Sequence, residues 1–147
     1  MNEASPGQPA ALTHVFPIRV YYEDTDAAGV VYYANYLRFA ERARTEFLRE
    51  IGFGQAQALE EFGVVFAVRR CTADYAKPAF LDQALEMHTR IVEIAGASFG
   101  MEQTVFRDGE LLVSMDLRLV CMTEAGKAAR IPEPIRAKMA GYLVETS

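Results

Sequence analysis

The chain has 147 residues, 51% hydrophobic, 11% aromatic and 24% charged, with a formal net charge of -5. A chain of this length suits one domain that buries roughly two-thirds of its unfolded surface, and the composition is that of a folded globular protein. The acidity gives no general field for phosphate backbones and the longest basic run is Arg69-Arg70, so no nucleic-acid partner is expected. No apolar run approaches the ~20 residues of a transmembrane segment, and the opening MNEASPGQPAALTH lacks the basic start and apolar stretch of a signal peptide, which makes the cytoplasm the expected location.

Residues 1–12, rich in Ala, Pro, Gly, Ser and Asn, read as a disordered leader before a single domain over 13–147. VFPIRVYYE, from Val15 to Glu23, alternates Ile18, Val20 and Tyr22 against Arg19, Tyr21 and Glu23, the two-residue period of a strand. That strand is expected to run straight into the acids of YYEDTDAAGVVYYANY. After DAAG the period changes. Tyr36, Phe39, Ala40, Ala43, Phe47 and Ile51 recur at threes and fours, the core face of a long amphipathic helix. Asn35 is a good N-cap, a first turn near Tyr32 or Tyr33 is the alternative start, and Gly52 is the natural stop. A short helix over Gln55–Glu61 precedes four strands, Val64–Tyr75, Ala84–Ile94, Phe99–Arg107 and Leu111–Thr123. Asp108-Gly109 joins the last two as a hairpin because both residues tolerate positive φ. Pro132 and Pro134 introduce a final helix, Ile135–Leu143. Successive strands with short links favour an antiparallel sheet, and the apolar helical face needs a sheet to cover it, so the expected class is α+β.

Cys71 and Cys121 lie in apolar stretches without paired spacing and are expected as buried free thiols. His14 and His88 stand far apart with no companion ligand, so neither a metal nor another cofactor is expected. Lys77, Arg69, Arg70 and Arg90 are the candidates to face a polyanionic ligand, although solvated strand faces explain them equally well.

Glu23, Asp24 and Asp26 crowd four positions between apolar flanks. A carboxylate at a strand end, followed by a glycine-containing loop that opens a helix, has a chemical use. The first N–H groups of a helix have no intrahelical partner and carry partial positive charge, so an oxyanion is well held there. A carbonyl seated on them can be attacked by the carboxylate, or by water that the carboxylate activates. Gly29 matters to that picture because a side chain there would hinder close approach to the backbone. The plain alternative is that Asp24 and Asp26 satisfy turn N–H groups while Glu23 is solvated. Spacing does not choose between Asp24 and Asp26. Neither a Gly-x-Ser-x-Gly elbow nor a phosphate loop nor a dinucleotide fingerprint is present.

RVYYEDTDAAGVVYYANYLRFAERART, residues 19–45, closely resembles the signature of the hydroxybenzoyl-CoA thioesterase family, above all its YbgC-type subgroup of acyl-CoA thioesterases associated with the Tol/Pal envelope system. Looser similarity continues through VRRCTADYAKPAFLD, residues 68–82. The resemblance implies a hot-dog fold, an antiparallel sheet of about five strands wrapped around one long central helix. It further implies a homodimer with joined sheets, often paired into a homotetramer, and hydrolysis of an acyl-CoA substrate at a subunit interface. An acyl carrier protein is a further candidate partner. Matched residue by residue, the resemblance sets the family's catalytic aspartate on Asp26 and its oxyanion-donating backbone N–H on Tyr33. Gly29, Val30, Val31 and Tyr32, which lie between them, are the expected substrate-binding residues. Asp26 is then expected to be the acid turned inward, towards a dry wall of strand and helix. Many YbgC-type sequences carry histidine at the position of Tyr33. A backbone N–H is available from either residue, but acid/base help from an imidazole is not. This departure keeps open a second reading, a low-turnover binder of acyl-CoA or acyl carrier protein.

Overall fold

A computed structural model describes residues 11–144. In chain order the elements are β1 (His14–Arg19), α1 (Asn35–Glu50), α2 (Gln55–Phe62), β2 (Val64–Tyr75), β3 (Ala84–Ile94), β4 (Ser98–Arg107), β5 (Glu110–Thr123) and α3 (Glu133–Ala140), with a single 3₁₀ turn over Tyr22–Asp24. The strands form one open antiparallel sheet in the order β1-β3-β4-β5-β2, so β1 and β2 are its edges. The α+β class and the antiparallel five-stranded sheet match the expectation.

The long helix is held by its apolar stripe. Tyr36, Phe39, Ala40, Ala43, Phe47 and Leu48 are its buried residues, and α1 packs over β1 and β3 while α2 covers β2. Burying each large side chain stabilises the fold by roughly 1.5–3 kcal/mol. The helix ends as Gly52 requires. With φ at 91°, Gly52 takes the left-handed conformation, its N–H donates to the Arg49 carbonyl (3.0 Å), and the Phe53 N–H donates to the Leu48 carbonyl (2.9 Å). These are the two bonds of a Schellman cap. The β4–β5 hairpin turns through Asp108 (φ 50°) and Gly109 (φ 81°), the paired positive φ values of a type I′ turn.

Three local expectations are corrected. β1 stops at Arg19 rather than Glu23. Val20 still bonds to the chain at Asp82 and Gln83, but at Tyr22 the backbone coils into the 3₁₀ turn and that side chain is 82% exposed. A local acceptor, the Asp24 carboxylate, takes the Tyr21 N–H (2.9 Å) and competes with strand pairing. Asn35 is the first residue of α1, not its cap. Ala34 is the N-cap, and the Asn35 Nδ2 donates instead to the Asp24 carbonyl (2.8 Å). The last helix begins two residues earlier and ends three earlier than expected, starting directly after Pro132. Of the leader expected over 1–12, residues 1–10 lie outside the described residues, while the Leu12 N–H donates to the Gly141 carbonyl (2.9 Å).

One hydrophobic cluster fills the space between the sheet and α1. Within it Gln103 is fully buried. Its Nε2 donates to the Ala40 carbonyl (3.0 Å) and the Thr89 hydroxyl (3.1 Å), and its Oε1 accepts from Arg44 Nη1 (3.1 Å). A buried amide is tolerable only when its hydrogen bonds are made, and here they tie α1 to β3 and β4. Burial lowers the pKa of the Arg44 guanidinium, and Glu41 nearby opposes the shift. Of the two thiols expected to be buried, Cys121 is buried but Cys71 is exposed, within the run 68–72 of β2 in which every residue is exposed. Both are free.

Candidate active site

Between β1 and α1 the chain makes two turns in succession. The first is the 3₁₀ turn ending at Asp24. Asp24 is 8% exposed, its carboxylate takes the Tyr21 N–H, and its carbonyl takes the Tyr32 N–H (3.0 Å) as well as the Asn35 side chain. The second turn is built by Asp26. The Asp26 N–H donates to the Val30 carbonyl (2.9 Å), and the Gly29 N–H donates to the Asp26 carbonyl (3.0 Å). Gly29 has φ at 78°, the left-handed residue that closes a type I turn with a one-residue bulge. Thr25 bridges Val31 across the base of this small hairpin.

The Asp26 carboxylate is oriented by its own turn. Its Oδ1 accepts the N–H groups of Ala28 (2.9 Å) and Val30 (3.3 Å), whereas its Oδ2 has no donor among the described residues. Asp26 is exposed in the single chain, so the inward acid is Asp24 and not, as expected, Asp26. The physical reason is that Asp24 lies where three segments meet, while Asp26 occupies the tip of a hairpin.

From the other arm of the hairpin the chain passes to α1 through a tight turn. The Asn35 N–H donates to the Tyr32 carbonyl (2.8 Å) and the Tyr36 N–H to the Tyr33 carbonyl (3.3 Å). The N–H groups of Tyr33 and Ala34 have no acceptor among the described residues, as the opening of a helix dictates. Tyr33 thus stands just outside α1 with its N–H free among the described residues, and the residue is 60% exposed. That ring meets Tyr75 edge-on (5.9 Å between centroids) and Tyr32 at a tilt (4.9 Å), and Tyr36 also reaches Tyr75 (5.7 Å).

The remaining substrate-binding expectations separate. Gly29 and Val30 are half-buried and Tyr32 is exposed, but Val31 is buried and its N–H is committed to the Ala79 carbonyl (2.9 Å), so Val31 holds the hairpin to the body of the protein. Residues 76–83 brace the hairpin from outside. Leu81 N–H donates to the Gly29 carbonyl (3.1 Å), the Tyr36 hydroxyl accepts the Ala79 N–H (3.3 Å), and Arg107 donates to the Pro78 carbonyl (3.0 Å) and the Gln83 side chain (2.9 Å).

Residues 20–139, spanning both turns, the helix and the sheet, match the model of the thioesterase-like superfamily. The chain belongs to this superfamily. It is 43% identical over 125 residues to the acyl-CoA thioesterase YbgC of Haemophilus influenzae, covering 85% of this chain and 91% of that one. It is 47% identical over 108 residues to the acyl-CoA thioester hydrolase YbgC of Escherichia coli, covering 73% and 80%. A probable thioesterase from Bartonella henselae superimposes with a TM-score of 0.79 at 39% identity, over 82% of this chain and all of that one. The fold shared with these thioesterases is the hot-dog fold.

Sequence reasoning missed Asn35 as a tie to Asp24, Tyr36 as a brace of residues 76–83, and the Gln103–Arg44 network. For Gln103 a signal existed, because it shares the inward face of β4 with Met101 and Val105. Beyond this network lies a cavity of about 290 Å³ between α1, α2 and the sheet, with Phe47, Phe66, Phe99 and Met101 among its walls and Arg44 and Glu41 on its polar side.

Proposed function

We propose that this thioester hydrolase acts on acyl-CoA, releasing the free acid and CoA, with Asp26 as nucleophile or general base and the Tyr33 backbone N–H as oxyanion donor. The observation that carries this reading is a carboxylate tethered by one oxygen, followed in the chain by a helix-opening N–H that has no acceptor among the described residues. The tether fixes the carboxylate without consuming its Oδ2. The free N–H of Tyr33 lies where the dipole of α1 favours developing negative charge. A thioester suits such a site because a thiolate leaves readily and little further activation is needed. The exposure of Asp26 and of the Tyr32, Tyr33 and Tyr75 rings accords with a site completed by a second copy in a homodimer or homotetramer. The apolar cavity beside Phe47 and Phe66 offers room for an acyl tail laid along α1. From Tyr36 to Arg44 the helix rises ~12 Å.

The test is thiol release from short-chain, long-chain and aromatic acyl-CoAs by the wild type and Asp26→Asn. The wild type turns over at least one class, and the variant loses about 100-fold or more in kcat with little change in KM. An Asp26→Asn protein with unaltered kcat rejects the assignment of Asp26. Saturable acyl-CoA binding without release by the wild type replaces hydrolysis with the low-turnover binding reading that tyrosine at position 33 keeps open.

A further inference from the structure

Resting on the acyl-CoA reading, we propose that Arg69, Arg70 and Arg118 form a phosphate-binding patch on the outer face of the sheet that takes the phosphorylated nucleotide end of CoA. Among the described residues these three arginines alone border one concavity of about 370 Å³. Consecutive strand residues ordinarily face opposite ways, but the register of β2 against β5 shifts between Val68 and Arg70, and this bulge lets Arg69 and Arg70 share one site.

The arrangement is costly without a counter-charge. Arg70 lies directly opposite Arg118 in the β2–β5 ladder, and like charges in that position destabilise a sheet. Arg118 is partly compensated by Glu93 (3.0 Å), but Arg69 and Arg70 have no ion pair among the described residues. Lys77 and Arg90, the other candidates for a polyanion, are already neutralised by Glu110 and Glu102. Beside the arginines the surface dips over Gly100, where an added Cβ would lie only 3.0 Å from Val92, and Asp116 is the one acid lining this dip. Three cations thus face Glu93 and Asp116 on a chain whose net charge is -5. Clustered guanidinium groups recognise phosphate oxygens by charge-assisted hydrogen bonds.

The location also fits. Tyr75, which touches Tyr33, is the last residue of β2, and Arg70 lies five residues back along the strand, ~17 Å away. An extended pantetheine arm leaving the thioester can round the strand end and run back over the outer face to the arginines.

Steady-state kinetics on an acyl-CoA and on the matching acyl-pantetheine, which has the same thioester but no phosphates, test the patch apart from the chemistry. The double variant Arg69→Gln/Arg70→Gln raises KM for acyl-CoA about tenfold, the size of one lost charge-assisted hydrogen bond, and the rise is confined to the phosphorylated substrate. An unchanged KM for acyl-CoA, or an equal rise on both substrates, overturns the proposal. If the wild type hydrolyses neither substrate, the acyl-CoA hydrolase reading fails. The patch is then judged by titration with adenosine 3′,5′-bisphosphate: binding that weakens in the variant upholds a phosphate site, and equal binding overturns it. Competition by inorganic phosphate as strong as that by the bisphosphate assigns the arginines to free phosphate and overturns the assignment to CoA.

Discussion

Asp24 and Asp26 are separated by a single residue and bond to different parts of the chain. Asp24 joins distant places. It reaches back to Tyr21 and forward to Tyr32 and Asn35, and it is buried where β1, the hairpin and α1 meet. Among the described residues Asp26 bonds only within its own turn, to Ala28, Gly29 and Val30, and it is exposed. A carboxylate that ties segments together supports the fold. One that is held by a small self-contained turn, with an oxygen that meets no donor among the described residues, is the acid to which the proposed function gives the chemistry. Crowded acids can therefore be sorted by asking where their hydrogen bonds go.

The largest expected effects come from exchanging the fates of these two residues. Asp26→Ala removes the carboxylate but leaves the Asp26–Val30 backbone bond, so kcat falls about 100-fold or more while thermal unfolding moves by no more than about 2 °C. Asp24→Ala leaves Tyr21 N–H without its acceptor at a half-buried position, a loss of ~1–2 kcal/mol that lowers Tm by ~3–8 °C. Calorimetry and thiol release on both variants check the pair. The reverse pattern, a large Tm loss at Asp26 and a large kcat loss at Asp24, breaks the comparison and returns the chemistry to Asp24.

A smaller effect sharpens the Asp26 side of it. Gly29 and Gly63 both adopt positive φ, 78° and 67°, and an added Cβ meets nothing within 4 Å at either. Alanine at each position therefore costs only backbone strain, about 1–2 kcal/mol. The two should lower Tm alike, by several degrees. Only Gly29→Ala should also lower kcat, because only that strain falls on the turn that aims Asp26. Equal kcat for the two variants would show that the turn does not set the carboxylate's position.

The parts of this fold legible in the sequence are those governed by local periodicity and turn chemistry. β2 and β3 match their expected bounds, and α1 shows the 3.6-residue stripe and the glycine stop that its sequence demands. Asp108-Gly109 makes the turn that its tolerance of positive φ favours. Non-local facts were not legible. That Tyr22 turns outward follows from a hydrogen bond between Tyr21 and Asp24, which strand alternation does not contain. That Asn35 serves Asp24 instead of its own helix follows from how the hairpin is folded back. Cys71 is exposed because it falls in the stretch 68–72 of β2 that the packed elements leave uncovered, and which part of a strand is covered is a property of the whole fold. The site was legible to the extent that an acid, a glycine and a helix start succeed one another in the chain. The choice between the two aspartates required the resemblance carried by residues 19–45.

The smallest effect tests whether the brace around the Asp26 turn matters. The Tyr36 ring is buried between Phe39 and Tyr75, and burial raises the pKa of its phenol, so the hydroxyl stays protonated. Tyr36→Phe keeps this packing and removes only the acceptor of the Ala79 N–H, at 3.3 Å a long bond worth at most about 1 kcal/mol. Tm should fall by no more than about 4 °C. The same residue, Ala79, accepts the Val31 N–H through its carbonyl, so any slack in residues 76–83 passes directly to the arm of the hairpin opposite Asp26. Because the Val31 and Leu81 bonds remain, that slack is small and kcat should stay within about threefold of the wild type, well short of one kcal/mol. A loss of kcat nearer to that of Asp26→Ala, with the same small change in Tm, would mean that the turn does not hold the carboxylate alone. The self-contained character assigned to Asp26 would then extend to residues 76–83.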